Sequence, residues 1–255
     1  MRIIVCRRWP GNGDDYNKET YLKTCSTFLE QTKKSFADLS FTMTEIDPAL
    51  KHIEVEGGRS TLEVFQGEKV AKAIFSAIEI DSMSVCEQSV IIWPQNHYDL
   101  PIFWCNLTQM PGMSFHIFDL IPLMDIVVWP VYGEKYLTRL QAIKQKAVDV
   151  LGDGIIEKNF DITTVVGWAF SPNRILFKLT EKGVTRLAPL LDDYGTLYKN
   201  LYNDAAPVTS SAERDFAMRK REAVRRLMKE NDPGYPLMTG LFGNELTAKV
   251  FDIVF

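Results

Sequence analysis

Asn106 and Glu87 are polar side chains on otherwise apolar strand faces, and Asp232 is a carboxyl at the end of a basic stretch; these are the residues that could do chemistry here. Asn106 stands inside the apolar run Ile102 to Met110. At the strand period of two, Ile102, Trp104, Asn106 and Thr108 share one face, and Phe103, Cys105, Leu107 and Gln109 share the other. An amide half-buried among large apolar groups must find partners, in a structural bond or in a ligand. Glu87 lies in a second strand-like run, Val85 to Trp93, where Glu87, Ser89, Ile91 and Trp93 share a face. Acidic residues are rarely buried unless paired, so the ordinary reading is a solvent-facing or salt-bridged edge position. Asp232 falls in Asn231-Asp232-Pro233-Gly234, which also reads as a helix terminus and turn. A carboxyl that is buried instead acquires a raised pKa and can donate a proton.

Other chemistries find no seat. The histidines His52, His97 and His116 have no metal-ligand spacing, and Cys6, Cys25, Cys86 and Cys105 are widely spaced with no C-x-x-C pair. Neither a zinc site nor a secreted disulfide framework is suggested, and a reducing compartment is the natural reading. No glycine-rich nucleotide or phosphate loop follows a strand, so a bound nucleotide cofactor is not expected. A formal charge of −4 and a pI near 5.5 argue against a nucleic-acid surface. No run approaches a membrane span, and the first residues lack a signal-peptide core.

The elements that must position these residues follow from periodicity. With 255 residues, 46% of them hydrophobic, the chain can fill one sizeable core, and a single domain over 1–255 is expected, with 1–15 irregular. A covering helix is predicted over Tyr16 to Leu39. Strands are predicted near Ser60 to Phe65, Ala71 to Ile80 and Val85 to Trp93. A hairpin then turns at Pro111-Gly112 between Ile102 to Met110 and Met113 to Leu120. A helix over Tyr132 to Leu151 ends at Gly152-Asp153-Gly154. A strand pair, Thr163 to Phe170 with Arg174 to Leu179, and a helix over Val184 to Tyr202 come next. Ser210 with Glu213 has capping-box spacing for a basic helix running to about Glu230, and a last helix follows Gly243. Strands in the middle with helices before and after predict a three-layer α/β/α sandwich around a mainly antiparallel sheet.

The segment DLPIFWCNLTQMPGMSFHIFDLIPL resembles the central signature of the ferredoxin-dependent bilin reductases, a strand ending in F-x-x-D or F-x-x-N before a P-G hairpin and D-L-x-P-L. The match continues with Phe170-Ser171-Pro172-Asn173, Asp232-Pro233 after the basic helix, and Leu241-Phe242-Gly243. It covers residues 60 to 255 in the family's order. The resemblance implies the same sandwich, with the ligand between one sheet face and the C-terminal helices. It implies a linear tetrapyrrole such as biliverdin as substrate, reduced by ferredoxin with no cofactor of the enzyme's own. Such chemistry needs an apolar wall, cations for two propionates, and protons from a carboxylic acid of raised pKa.

Carried over residue by residue, the resemblance makes Asp232 the proton donor. Asn106 stands where several members have a central aspartate; an amide cannot donate as an acid, so it would orient a pyrrole or lactam group. That position, and the hairpin around it, resemble the phytochromobilin synthases and favour reduction at the A-ring end. The third polar position falls on Ser89, or on Glu87 with a two-residue loop insertion; Glu87 is the one that could be an acid. Ser171 and Asn173 are implied substrate contacts. Arg225, Arg226 and Lys229 are offered for the propionates, although Met228 stands where the family often has arginine. The rest of the basic helix reads as a solvated face or a docking patch for an acidic ferredoxin. Asp119 and His116 read as structural. The expected protein is a monomer in a bacterial or viral-host cytoplasm or a plastid stroma. Rival readings are a reductase of a chlorophyll-derived open tetrapyrrole and a non-catalytic tetrapyrrole carrier.

Overall fold

The computed structural model describes residues 18–160 and 165–255, with side chains from 27 onward. The expectation of an irregular start over 1–15 lies outside the described residues. Helix α1 (Lys18–Ser35) leads into a short strand β1 (Thr42–Met43), a helical turn α2 (Pro48–Lys51), and strands β2 (His52–Val55), β3 (Gly58–Gln66), β4 (Val70–Ile80) and β5 (Val85–Pro94). The central hairpin is β6 (Ile102–Met110) and β7 (Met113–Ile121). After it come α3 (Pro130–Tyr132), a π-helical turn Gly133–Leu137, α4 (Thr138–Leu151), β8 (Ile155–Lys158), a 3-10 turn Val165–Trp168 and β9 (Ile175–Leu179). The chain closes with α5 (Glu181–Thr185), α6 (Ala188–Asp204), α7 (Ser211–Asn231), α8 (Gly234–Phe242) and α9 (Asn244–Val254).

One sheet orders its strands β1-β3-β4-β5-β6-β7-β9-β8, with β2 also on the β3 edge, and every pairing is antiparallel. Pro111 and Gly112 form the two-residue hairpin loop, Gly112 supplying the φ of +79° that side chains disfavour. The three central strands are apolar on both faces because helices cover both. On one face Phe103 and Phe118 meet α1 and α6. Phe118 stacks on Tyr194 at 3.7 Å between ring centres, and Phe103 lies edge-on to Phe36 and Tyr198 at 5.3 and 5.2 Å. Gln88 on the same face accepts the backbone N–H of Leu29 at 3.0 Å. Gly195 lets α6 close on α1, since a Cβ there would lie 2.2 Å from the Ser35 hydroxyl.

The opposite face carries Glu87, Ser89, Trp104, Asn106 and Thr108, and α7, α8 and α9 close over it. Lys72 donates to the carbonyl of Ile253 at 2.7 Å, Trp93 to that of Val254 at 3.1 Å, and Arg225 to that of Phe255. These bonds satisfy carbonyls at the end of α9 that have no partner within the helix.

Three expectations change. Of the strand predicted over Thr163 to Phe170, residues 163 and 164 lie outside the described residues, and the described remainder forms no strand, Val165–Trp168 being a 3-10 turn. The outer neighbour of β9 is β8, a short exposed strand without an alternating signal. The predicted helix from Val184 divides into α5 and α6, the second starting at Ala188-Pro189, where proline suits a helix's first turn. Cys86 is disulfide-bonded, which the cysteine spacing did not suggest, and Cys105 is free and buried.

Candidate active site

A cavity of about 450 Å³ lies between this sheet face and the α7–α8 junction. Trp104, Phe115, Phe160 and Phe170 supply aromatic wall, and Ile78, Met110, Val166 and Met238 fill between them. Its size suits a ligand of drug-like dimensions or a part of a larger one. A larger depression of about 910 Å³ lies between α1 and α6, but lysines, acids and short polar side chains line it, without an aromatic wall.

Asn106 stands at the centre of the cavity's sheet wall. Its Nδ2 donates to Glu87 Oε1 at 3.0 Å and its Oδ1 accepts from the Thr108 hydroxyl at 3.1 Å, so the amide is oriented from both ends. Behind it, the backbone carbonyl of Asn106 accepts from His116 Nδ1 at 3.0 Å, while His116 Nε2 accepts from the Tyr194 hydroxyl at 3.2 Å. Burial pushes the His116 pKa down to about 4, so the ring is neutral and structural, as expected.

Glu87 points into the same cavity. Loss of water, and secondarily the nearby charge of Asp232, raise its pKa to about 7, with the Asn106 bond opposing. The expectation of a solvent-facing or salt-bridged Glu87 therefore gives way to a half-buried acid, turned into the cavity and still partly protonated at neutral pH. Asp232 reaches the site for a local reason. Proline at 233 disfavours a helical Asp232, so α7 ends there with Asp232 extended at φ −65° and ψ 120°. Its Oδ1 accepts from the Gly234 N–H at 2.7 Å, an Asx turn that leads into the next helix. Burial raises its pKa and the Gly234 bond lowers it, burial being the larger influence. Asp232 is thus both a turn residue and a half-buried acid lining the cavity.

The remaining site expectations scatter. Ser89 shares the face of Glu87 but accepts from Trp104 Nε1 at 3.2 Å, and it borders a smaller cavity of about 60 Å³ beside the first. Ser171 donates from its backbone N–H and its hydroxyl to the buried carboxylate of Asp119, at 2.7 and 2.5 Å. Asn173 donates to the carbonyl of Leu137 at 2.9 Å. Neither lines the cavity; together they hold the turn that carries Phe170, whose ring lies 5.2 Å from that of Trp104. Arg225 pairs with Glu222 and Lys229 with Asp252, both outside the cavity wall. The cavity's described lining contains neither arginine nor lysine. Lys178, which sequence reasoning missed, lies beside it: its backbone is in register with Phe115 and its ammonium is 5.6 Å from the centre of the Phe160 ring. Lys178 also pairs with Glu157. Among the described residues no cluster of histidine, cysteine, aspartate or glutamate could hold a metal ion, and no helix is long and apolar enough to cross a membrane.

Residues 29–254 match the model of the ferredoxin-dependent bilin reductase family. The chain belongs to that family. Similar bilin reductases include the phycoerythrobilin:ferredoxin oxidoreductase of Prochlorococcus marinus strain NATL1A, 24% identical over 234 residues, which are 86% of this chain and 87% of that one. The enzyme of the same name from strain MIT 9301 is 23% identical over 184 residues, 70% of each chain. Among solved structures, selenomethionine-labelled phytochromobilin synthase from tomato in complex with biliverdin superimposes with a TM-score of 0.74 at 22% identity, covering 91% of this chain and 80% of that one. The α/β/α arrangement expected from the sequence is accordingly the bilin reductase fold. Family membership carries the ferredoxin dependence with it.

Proposed function

We propose that the chain acts as a single, monomeric bilin reductase domain that converts biliverdin IXα or dihydrobiliverdin to a phytobilin, with reduction at the A-ring end and without a cofactor of its own. It would work wherever reduced ferredoxin is supplied, in a bacterial or viral-host cytoplasm or a plastid stroma. The observation that carries this reading is the pair Glu87 and Asp232, two acids of raised pKa facing one aromatic cavity and held beside an oriented amide. The names of the relatives and the biliverdin in the tomato enzyme support the substrate class.

Each two-electron reduction takes one electron from each of two reduced ferredoxins and two protons from the protein, and converts one carbon–carbon double bond to a single bond. Asp232 delivers a proton to the bilin and Glu87 serves as the second donor, both refilled from solvent. Asn106 holds a pyrrole or lactam group in register with the acids and contributes no proton. Lys178, beside the cavity, would exchange its pairing with Glu157 for a propionate, whereas Arg225 and Lys229 lie outside the cavity wall.

The test is an anaerobic assay with biliverdin IXα and reduced ferredoxin, followed by absorbance and chromatography of the product. Wild type forms a new bilin. Asp232→Asn binds biliverdin with the same spectrum and slows reduction by about 10² to 10⁴, the usual weight of a general acid. Normal turnover by that variant would sink the assignment of Asp232. A stable biliverdin complex that never changes under reducing conditions would point to a carrier.

A further inference from the structure

The turn Val165–Trp168 has two sides. Val166 and, just beyond the turn, Phe170 line the cavity, whereas Trp168 between them faces outward with 80% of its surface exposed. A large exposed indole is rare on a surface with no partner and is a frequent anchor of protein interfaces. Trp168 overhangs a groove of about 250 Å³ along α7, walled by Lys220, Ala223, Val224, Arg226 and Leu227, with Glu230 at one end.

The charge of the groove is also distinctive. Helix α7 carries seven basic and four acidic side chains in a chain that is acidic overall. Arg225 and Lys229 are consumed by Glu222 and Asp252, and Arg221 is buried against Asn96 and Gln95. Among the described residues no ion pair engages Arg219, Lys220 or Arg226, although Arg226 feels the charge of Glu222. Lys220 and Arg226 share the groove with the exposed Trp168, which is two residues from Val166 on the cavity wall.

We infer that the groove between Trp168 and the Lys220–Arg226 stretch of α7 is where an acidic iron–sulfur ferredoxin docks to deliver electrons to the cavity. The inference rests on the reading that this cavity holds the bilin. The cationic rim attracts the acidic partner and sets the rate of encounter, and Trp168 provides the apolar anchor. Val166 and Trp168 are at most roughly 7 Å apart along the chain, so a partner on Trp168 is separated from the bilin by one turn of backbone. Each docked reduced ferredoxin gives up one electron and leaves oxidised; two such visits accompany the two protons of one bilin reduction.

The test compares Trp168→Ala and the double variant Lys220→Glu/Arg226→Glu with wild type, using purified plant-type [2Fe–2S] ferredoxin as donor and, separately, reduced methyl viologen. Lys34→Glu, an exposed charge reversal on α1, is the control. Both groove variants should raise KM for ferredoxin roughly tenfold at low salt; the wild-type advantage over the double variant should shrink as salt rises, and that over Trp168→Ala should persist. Biliverdin binding and the methyl viologen rate should stay unchanged, and Lys34→Glu should behave as wild type. An unchanged ferredoxin KM in the double variant would overturn the inference. So would equal losses with both donors, which would mean damage to the cavity wall. Self-association through Trp168 without ferredoxin binding would assign the groove to a second copy of the chain and overturn it too. Should no donor reduce biliverdin in wild type, the bilin reading fails instead, and calorimetric binding of oxidised ferredoxin to wild type and the double variant still decides the docking surface.

Discussion

Glu87→Gln tests whether the cavity holds a protonated acid, through stability and through rate. In the folded chain the Glu87 pKa rises from an ordinary 4.5 to about 7, chiefly by desolvation. At ~1.4 kcal/mol per pKa unit, this is a penalty of about 3 kcal/mol on ionised Glu87. The unfolded chain releases the proton near pH ~4.3 and the folded chain near 7, so between those values the folded state binds more protons. Stability from this group is therefore greatest in acid and is lost as pH rises through about 7. Glutamine keeps the shape and still accepts from Asn106, but it cannot ionise. Urea unfolding of both proteins from pH ~4 to ~8 should show near equality at the acid end and a relative gain for the variant of up to about 3 kcal/mol at the alkaline end. The catalytic counterpart is a wild-type rate that falls as pH rises through about 7, and a variant that loses that limb and about 10²-fold in rate. A stability difference that is flat with pH, or that favours wild type at alkaline pH, would refute the buried-acid argument.

Asn106→Leu removes the amide hydrogen that favours ionised Glu87, so the descending limb of the pH–rate profile should move above 7; bilin affinity should fall about tenfold, from loss of roughly one polar contact. Absorbance titration with biliverdin reads the second effect. Lys178→Ala should weaken biliverdin binding by about 1 kcal/mol, less at high salt, while Arg225→Ala leaves it unchanged; equal losses in both would restore the α7 cations as propionate ligands.

Much of the site's sheet wall was legible from local pattern. Side chains on a strand alternate whatever the rest of the protein does, so Trp104, Asn106 and Thr108 had to share a face once Ile102 to Met110 was read as a strand. Proline at 233 likewise determined where the basic helix stops and hence where Asp232 hangs. The glycine of the hairpin and the Ser210 cap follow from residue type alone, and Ser210 Oγ does accept from the Glu213 N–H at 3.3 Å.

The tertiary structure decided what depends on neighbours distant in the chain. Position in a strand could not separate Glu87 from Ser89. Packing did, by giving Ser89 to the Trp104 indole and leaving Glu87 beside Asn106 and within the field of Asp232. Long basic side chains on α7 chose among Glu222 on the same helix, Asp252, the Phe255 carbonyl and solvent, and Asp252 and that carbonyl are within reach only once α7 and α9 are side by side. Ser171, in a family motif, proved to be the partner of buried Asp119, a contact between segments that are not adjacent in sequence. Alternation and backbone stereochemistry are properties of a few consecutive residues, so the sequence states them; a pKa or a salt bridge depends on which water and which charges the folded neighbours leave nearby.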